Sequence, residues 1–188
     1  MKLSASGLLS EEKFWDIIEN TIENNISLDR QGELLEIALL QLTEDEILGY
    51  QYHFYKFSSQ SYKECLWAVA YIVMGGCGDD GFDDFRRWLI TRGKQLYCKA
   101  LSNPDSLCDE FTKIPAGDIP SFEDAAYYPA KIFETKFGKD LHTEEDKYDY
   151  EAVLKIPEIE FTWNDNDEDS IRKICPNTFD KWWGNRRF

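Results

Sequence analysis

A chain of 188 residues, 43% hydrophobic and 15% aromatic, is long and apolar enough to bury a sizeable core, which excludes a disordered chain. With 36 acidic against 21 basic residues the formal net charge is −15, a field that repels nucleic-acid phosphates and anionic lipid headgroups and favours a basic protein partner. No run of about 18 apolar residues occurs, so no membrane span is expected.

The N-terminal stretch MKLSASGLLSEEKFW lacks the apolar centre of a secretory signal, and a cytoplasmic location is the expectation. Cys65, Cys77, Cys98, Cys108 and Cys175 are odd in number and contain no close pair, which fits free thiols. The six Trp, ten Tyr and twelve Phe exceed what a core of this size needs, so some are expected at a contact surface.

Along the chain the helical period dominates. Ser10 has the position of an N-cap, with Glu11 and Glu12 in the first turn and Leu9 and Phe14 spaced as a hydrophobic staple. Phe14, Ile17, Ile18 and Ile22 fall on one face, and Asn24 and Asn25 end this helix. A second helix is predicted from about 29 to 42. Thr43 and Glu46 form a capping box for a third, which "SSQS" (58–61) breaks. A fourth, from about 62 to 74, is apolar on most faces and therefore central.

After "GGCGDDGF" (75–82) the segment FDDFRRWLITRG is amphipathic, and Gly93 offers a left-handed end to it. "KQLYCKAL" resumes the helical pattern up to Asn103-Pro104, and one or two turns follow between Asp105 and Phe111. Residues 121–138 read as helix interrupted or restarted at Pro129, and Gly138 closes it. The last 50 residues are acidic, aromatic and weakly periodic, with short helices near Ile171 and from Pro176. The expected architecture is all-α: one helical domain over 1–188, its core at about 10–138 and a C-terminal segment, about 139–188, packed on it.

The glycine-rich corner has two readings. A phosphate loop would need a lysine and a hydroxyl after its last glycine, whereas Gly81 is followed by Phe82, Asp83 and Asp84. A helix-to-helix corner accounts for more residues: Gly75 or Gly76 as the left-handed end of one helix, Asp79 or Asp80 as the cap of the next, Asp83 and Asp84 in its first turn. Four carboxylates within six residues could nonetheless bind a divalent cation or a partner's arginine, and Arg86 and Arg87 are the nearest counter-charges. Near a helix start the Cys77 thiol would be activated, but the aspartates oppose that.

Elsewhere the signals fail. "DNDEDS" (165–170) has the alternating carboxylates of a calcium loop, but Ser170 stands where the glycine belongs and Pro176 where the final glutamate belongs. His53 and His142 match no zinc pattern, so neither metal nor cofactor is predicted. "FDKWWGNRRF" (179–188) joins aromatics to bases as a single-strand platform would, but docking of Trp182 and Trp183 on the bundle, with the bases against the acidic body, fits the net charge better.

The stretch WAVAYIVMGGCGDDGFDDFRRWLITRGKQLYCKALSNPDSL (67–107) resembles the core of a bacterial family known as Domain of Unknown Function 4240. The likeness lies in Phe14, Trp15 and Ile18; in Trp67, Ala70, Tyr71, Gly75, Gly76, Cys77, Asp79, Asp80, Gly81, Phe82, Phe85, Arg86, Trp88, Leu89, Ile90 and Gly93; and in the ending A-L-x-x-P-D-S-L. The closing FTWNDNDEDSIRKICPNTFDKWW is also similar to the family's tail. The resemblance implies a small helical bacterial protein with no established activity.

Together these readings make Asp79, Asp80, Asp83, Arg86, Trp67 and Tyr71 the candidate binding residues. The expected function is an acidic, non-enzymatic interaction module, regulatory or immunity-type. The alternative is a ligand- or divalent-metal-binding enzyme that uses the Asp/Arg cluster at 79–86 and has a concave pocket there. The residues leave open whether any catalysis occurs, and the oligomeric state.

Overall fold

The computed structural model describes residues 2–23, 26–115 and 118–185; Asn24, Asn25, Arg186, Arg187 and Phe188 lie outside them. The protein is all-α, with one parallel two-stranded ladder pairing β1 (Leu3–Ser4) with β2 (Tyr148–Asp149), too short to leave a strand pattern in the sequence.

The first helix, α1 (Glu11–Glu19), starts where Ser10 accepts the backbone N–H of Lys13. It ends before Ile22, because the Thr21 hydroxyl donates to the Ile18 carbonyl and turns the chain. Ile22 is therefore 40% exposed and not on the buried face with Phe14, Ile17 and Ile18. α2 (Leu28–Leu39) is capped by Ser27 and ends three residues before Leu42, which is buried beyond the helix. α3 (Glu44–Gln60) begins in the capping box: Glu46 N–H donates to Thr43 Oγ1, and Thr43 N–H to Glu46 Oε2 at 2.8 Å. It continues through Ser58–Gln60 instead of breaking there. The carbonyls at its end keep partners, since Ser61 N–H donates to Phe57 and Arg86 to Ser58.

α4 (Glu64–Met74) is buried on nearly every side and lies centrally, as its composition requires. α5 (Asp79–Ile90) turns Phe82, Phe85, Trp88 and Leu89 inward. Thr91 caps it; Gly93, with φ 90° and ψ 164°, does not end α5 but is the positive-φ N-cap of α6 (Lys94–Ser102). Two 3₁₀ turns, Pro104–Leu107 and Glu110–Lys113, follow. A third, Glu123–Ala126, precedes α7 (Tyr128–Phe137), which Pro129 opens and Gly138 closes at φ 66°.

The C-terminal segment comprises α8 (Leu141–Glu145), α9 (Glu151–Leu154), an extended stretch, α10 (Glu168–Ile174) and α11 (Pro176–Trp182). Ile171, Cys175, Phe179 and Trp182 from this segment join the same buried cluster as Phe14, Tyr50, Val69 and Phe85. Trp182 Nε1 donates to the Cys108 carbonyl at 2.8 Å, and Lys181 pairs with Asp109.

One close approach constrains the bundle. A Cβ at Gly49 in α3 would lie 2.5 Å from the Leu9 backbone nitrogen. Gly49→Ala must push α3 from the segment entering α1, and we expect it to cost about 2 kcal/mol, as overpacking does. Urea unfolding of the two proteins checks this; equal midpoints would show that the segment yields freely.

Candidate functional site

The corner between α4 and α5 is built by glycine conformations that other residues resist. Gly75 takes φ 69°, ψ 35° and ends α4; Gly76, at φ 122°, donates its N–H to the Tyr71 carbonyl. Neither aspartate caps α5. The cap is Gly78, whose carbonyl accepts Phe82 N–H while its extended backbone leaves no side chain to compete. Asp79 and Asp80 lie inside the first turn, where the helix dipole favours negative charge, and both are exposed. They enter no ion pair among the described residues. Asp83 and Asp84 fall one turn later and are each bound by an arginine three residues on.

Arg86 is the structural centre of this corner. It is 4% exposed, and its guanidinium donates from Nη2 to Asp83 Oδ1 and from Nη1 to the Ser58 carbonyl. It also lies over the Tyr62 and Phe82 rings, 4.9 and 5.2 Å from their centres. The cation thus joins α5 to the end of α3. Arg87 holds Asp84 at 2.7 Å. Burial nevertheless raises the Asp84 carboxyl above its usual range, with Arg87 opposing and Glu123 adding to the rise.

Trp67 and Tyr71 stand behind the corner. Trp67 Nε1 donates to the Cys77 carbonyl at 2.8 Å and its ring stacks on Phe82 at 4.5 Å. Phe161 also meets it edge-on at 5.2 Å. Tyr71 packs on Trp163 and, further along, Trp183. The aromatic surplus therefore serves largely to seat the C-terminal segment. It leaves an exposed edge where Leu154, Ile156 and Phe161 are about half accessible and Glu158 and Glu160 lie between them. Cys77 is not an activated thiol: burial first, then Asp84 and Asp79, push it up to about 12.

No group of three His, Cys, Asp or Glu side chains among the described residues is placed to hold a metal ion. His53 donates from Nε2 to the Leu9 carbonyl, and burial lowers its pKa; His142 pairs with Glu145 on the surface. In the 165–170 acidic stretch Asp167 caps α10. Two clefts form elsewhere, one between α6 and Ile22, Ile26 and Leu28, the other around Asp105 and Lys181; none of the six candidate residues lines either.

Asp105 is a residue whose role the sequence reading missed. It accepts Thr178 N–H at 2.7 Å, Asn177 N–H at 3.0 Å and the Asn177 side-chain amide at 2.6 Å. It thus caps α11 from across the fold. Burial alone would raise its pKa, but the backbone donors of Thr178 and Asn177 hold it below the usual carboxylate range. Its place in the A-L-x-x-P-D-S-L ending was the available signal.

The model of the family described as Protein of unknown function (DUF4240) matches residues 9–135. The chain belongs to this family. The DUF4240 match spans α1 to most of α7 and contains all six candidate residues and Asp105; the tail from α8 onward lies outside it. No curated protein and no solved structure matches the chain. No helix among the described residues is long and apolar enough to cross a membrane.

Proposed function

We propose that this DUF4240 protein is an acidic, non-enzymatic interaction module, regulatory or immunity-type, whose partner presents a basic surface to the α4–α5 corner. The observation that carries the reading is the division among the four carboxylates. Asp83 and Asp84 are neutralised within the fold, while Asp79 and Asp80 face solvent with no ion pair among the described residues. Arg86 and Trp67 hold that turn rigidly, so the two charges are presented without much entropy left to lose on binding. Phe161, which is half exposed and packs on Trp67, is the apolar anchor in this reading. In this reading Asp79 and Asp80 contact the partner, and Asp83, Arg86, Trp67 and Tyr71 position them.

The test uses the full chain as bait in lysate of its source cell, at low and moderate salt, with the captured protein identified, purified and titrated calorimetrically. The expected partner is basic. Asp79→Asn with Asp80→Asn weakens it by about tenfold, and raising the salt weakens the native complex similarly. A partner that binds the double variant as tightly, or whose affinity ignores salt, overturns the reading.

A further inference from the structure

We infer that the cleft between Ile22, Ile26 and Leu28, the end of α5, α6 and the 110–113 turn binds an amphipathic carboxylate, with Arg92 as the anchor for its head. This site lies apart from the α4–α5 corner and does not rest on the reading given for it.

The first observation is a cation without an anion. Arg92 is largely buried and lines the cleft, yet in a chain of net charge −15 it forms no ion pair with any described residue. Its Nη2 donates to Gln31 Oε1 and, at 3.1 Å, to Thr91 Oγ1, and its guanidinium lies 5.7 Å from the centre of the Trp88 ring. Nε is buried with no partner, and Nη1 has none among the described residues. Gln31 is itself fixed by bonds from Nε2 to Thr21 and to the Thr91 carbonyl. Nη2 is therefore committed to Gln31 and Thr91 and Nε is closed off, so Nη1 is the donor left for a ligand. A carboxylate oxygen accepts that N–H in one charge-assisted hydrogen bond, which an alcohol matches only weakly. Burial pulls the Arg92 pKa down to about 10, which leaves it charged at neutral pH.

The second observation is the wall. The cleft encloses about 540 Å³, within the range of small-molecule sites, and Ile22, Leu28, Leu96, Ile114 and Ile119 line it. Ile22 and Ile119 are 40% and 41% exposed, so a ligand body would cover apolar surface that the fold leaves in water. The charges on the rim then set the head group. Lys113 is already bound by Glu110, and Glu23 and Asp118 outnumber Lys99 among the other charged residues of the rim beside Arg92, so the rim offers no excess of positive charge. A phosphate or other polyanion meets those carboxylates; a single carboxylate on an apolar body meets Arg92.

Calorimetric titration of the full chain with decanoate below its micellar concentration, with decanol and with inorganic phosphate tests this. Decanoate is expected to bind at least about tenfold more tightly than decanol, and phosphate not to bind. Arg92→Met is expected to remove the preference for decanoate and to spare decanol. Leu96→Trp keeps Arg92 and Gln31 in place and fills the cleft, and should abolish both, which decides the matter even if the arginine variant does not fold. Equal affinity for decanoate and decanol, no binding of decanoate, or decanoate binding that survives Leu96→Trp overturns the assignment.

Discussion

Replacing Arg86 with methionine is expected to destabilise the protein by about 3 kcal/mol, since charge-assisted hydrogen bonds are worth roughly 1.5–3 kcal/mol each and one of the two here ends on a partly exposed carboxylate. The variant keeps most of the apolar stem against Tyr62 and Phe82 but loses both donors, so the Ser58 carbonyl and Asp83 are left without them. Asp83→Asn should cost less than about 1 kcal/mol, because the Asp83 side chain is 42% exposed and water replaces its partner. Neutralising Asp79 and Asp80 should change stability by no more than about 0.5 kcal/mol, as for other surface positions. Urea unfolding of the series gives the order directly. If Arg86→Met left stability unchanged while abolishing partner binding, Arg86 would belong to the contact surface and not to its scaffold.

The second large effect is expected at Asp105. Three donors converge on its carboxylate, and Asp105→Ala strands them at the start of α11, at a cost of about 3 kcal/mol. The pH dependence carries a definite sign. The folded carboxyl titrates below the unfolded value of 3.8, so its contribution is complete above that pH and disappears as pH falls through the lower folded value. Native protein should therefore lose stability relative to Asp105→Ala between pH 4 and the acid limit, until the two converge. Denaturation at a series of pH values, followed by fluorescence of the C-terminal tryptophans, measures both quantities. A constant gap between the curves down to low pH would mean that the carboxylate is not the capping species.

Local chemistry is what made most of the helices legible. Ser10, the Thr43–Glu46 box, Gly75 and Gly138 each act within a turn of their own position, so their residue types announce a helix end without knowledge of the rest. Errors came where a longer contact, or a competing local one, decided. The α3 helix runs through its serines because Arg86, far along the chain, takes the Ser58 carbonyl. Asp79 and Asp80 look like caps by composition, but Gly78 needs no side chain to begin the helix. Ile22 has the right spacing for the buried face of α1, yet the Thr21 hydroxyl ends that helix first.

The candidate corner was visible as a cluster, and the separation of its carboxylates into two bound and two free was not. Each bound aspartate is held by the arginine three residues on within α5, and the tertiary fact is that Arg86 is buried against the end of α3. Asp105 and the Arg92 cleft were less visible still. The first joins residues 73 apart in the chain. The second is assembled from Ile22, Leu96, Ile114 and Ile119, which share no periodic pattern.

The manner in which Asp105 holds α11 also bears on the order in which the chain acquires its structure. A helix of seven residues cannot sustain itself in water, because nucleation costs more than so few hydrogen bonds return. It needs the 104–107 turn and the face of α4 to be in place first, and those depend on the helices before them. The tail is therefore the last part to lock and the first to open. Contacts made after the rate-limiting barrier leave the folding rate alone and set the unfolding rate. On this account Asp105 acts as a brake on unfolding, together with the Trp182–Cys108 and Lys181–Asp109 contacts that hold the same helix.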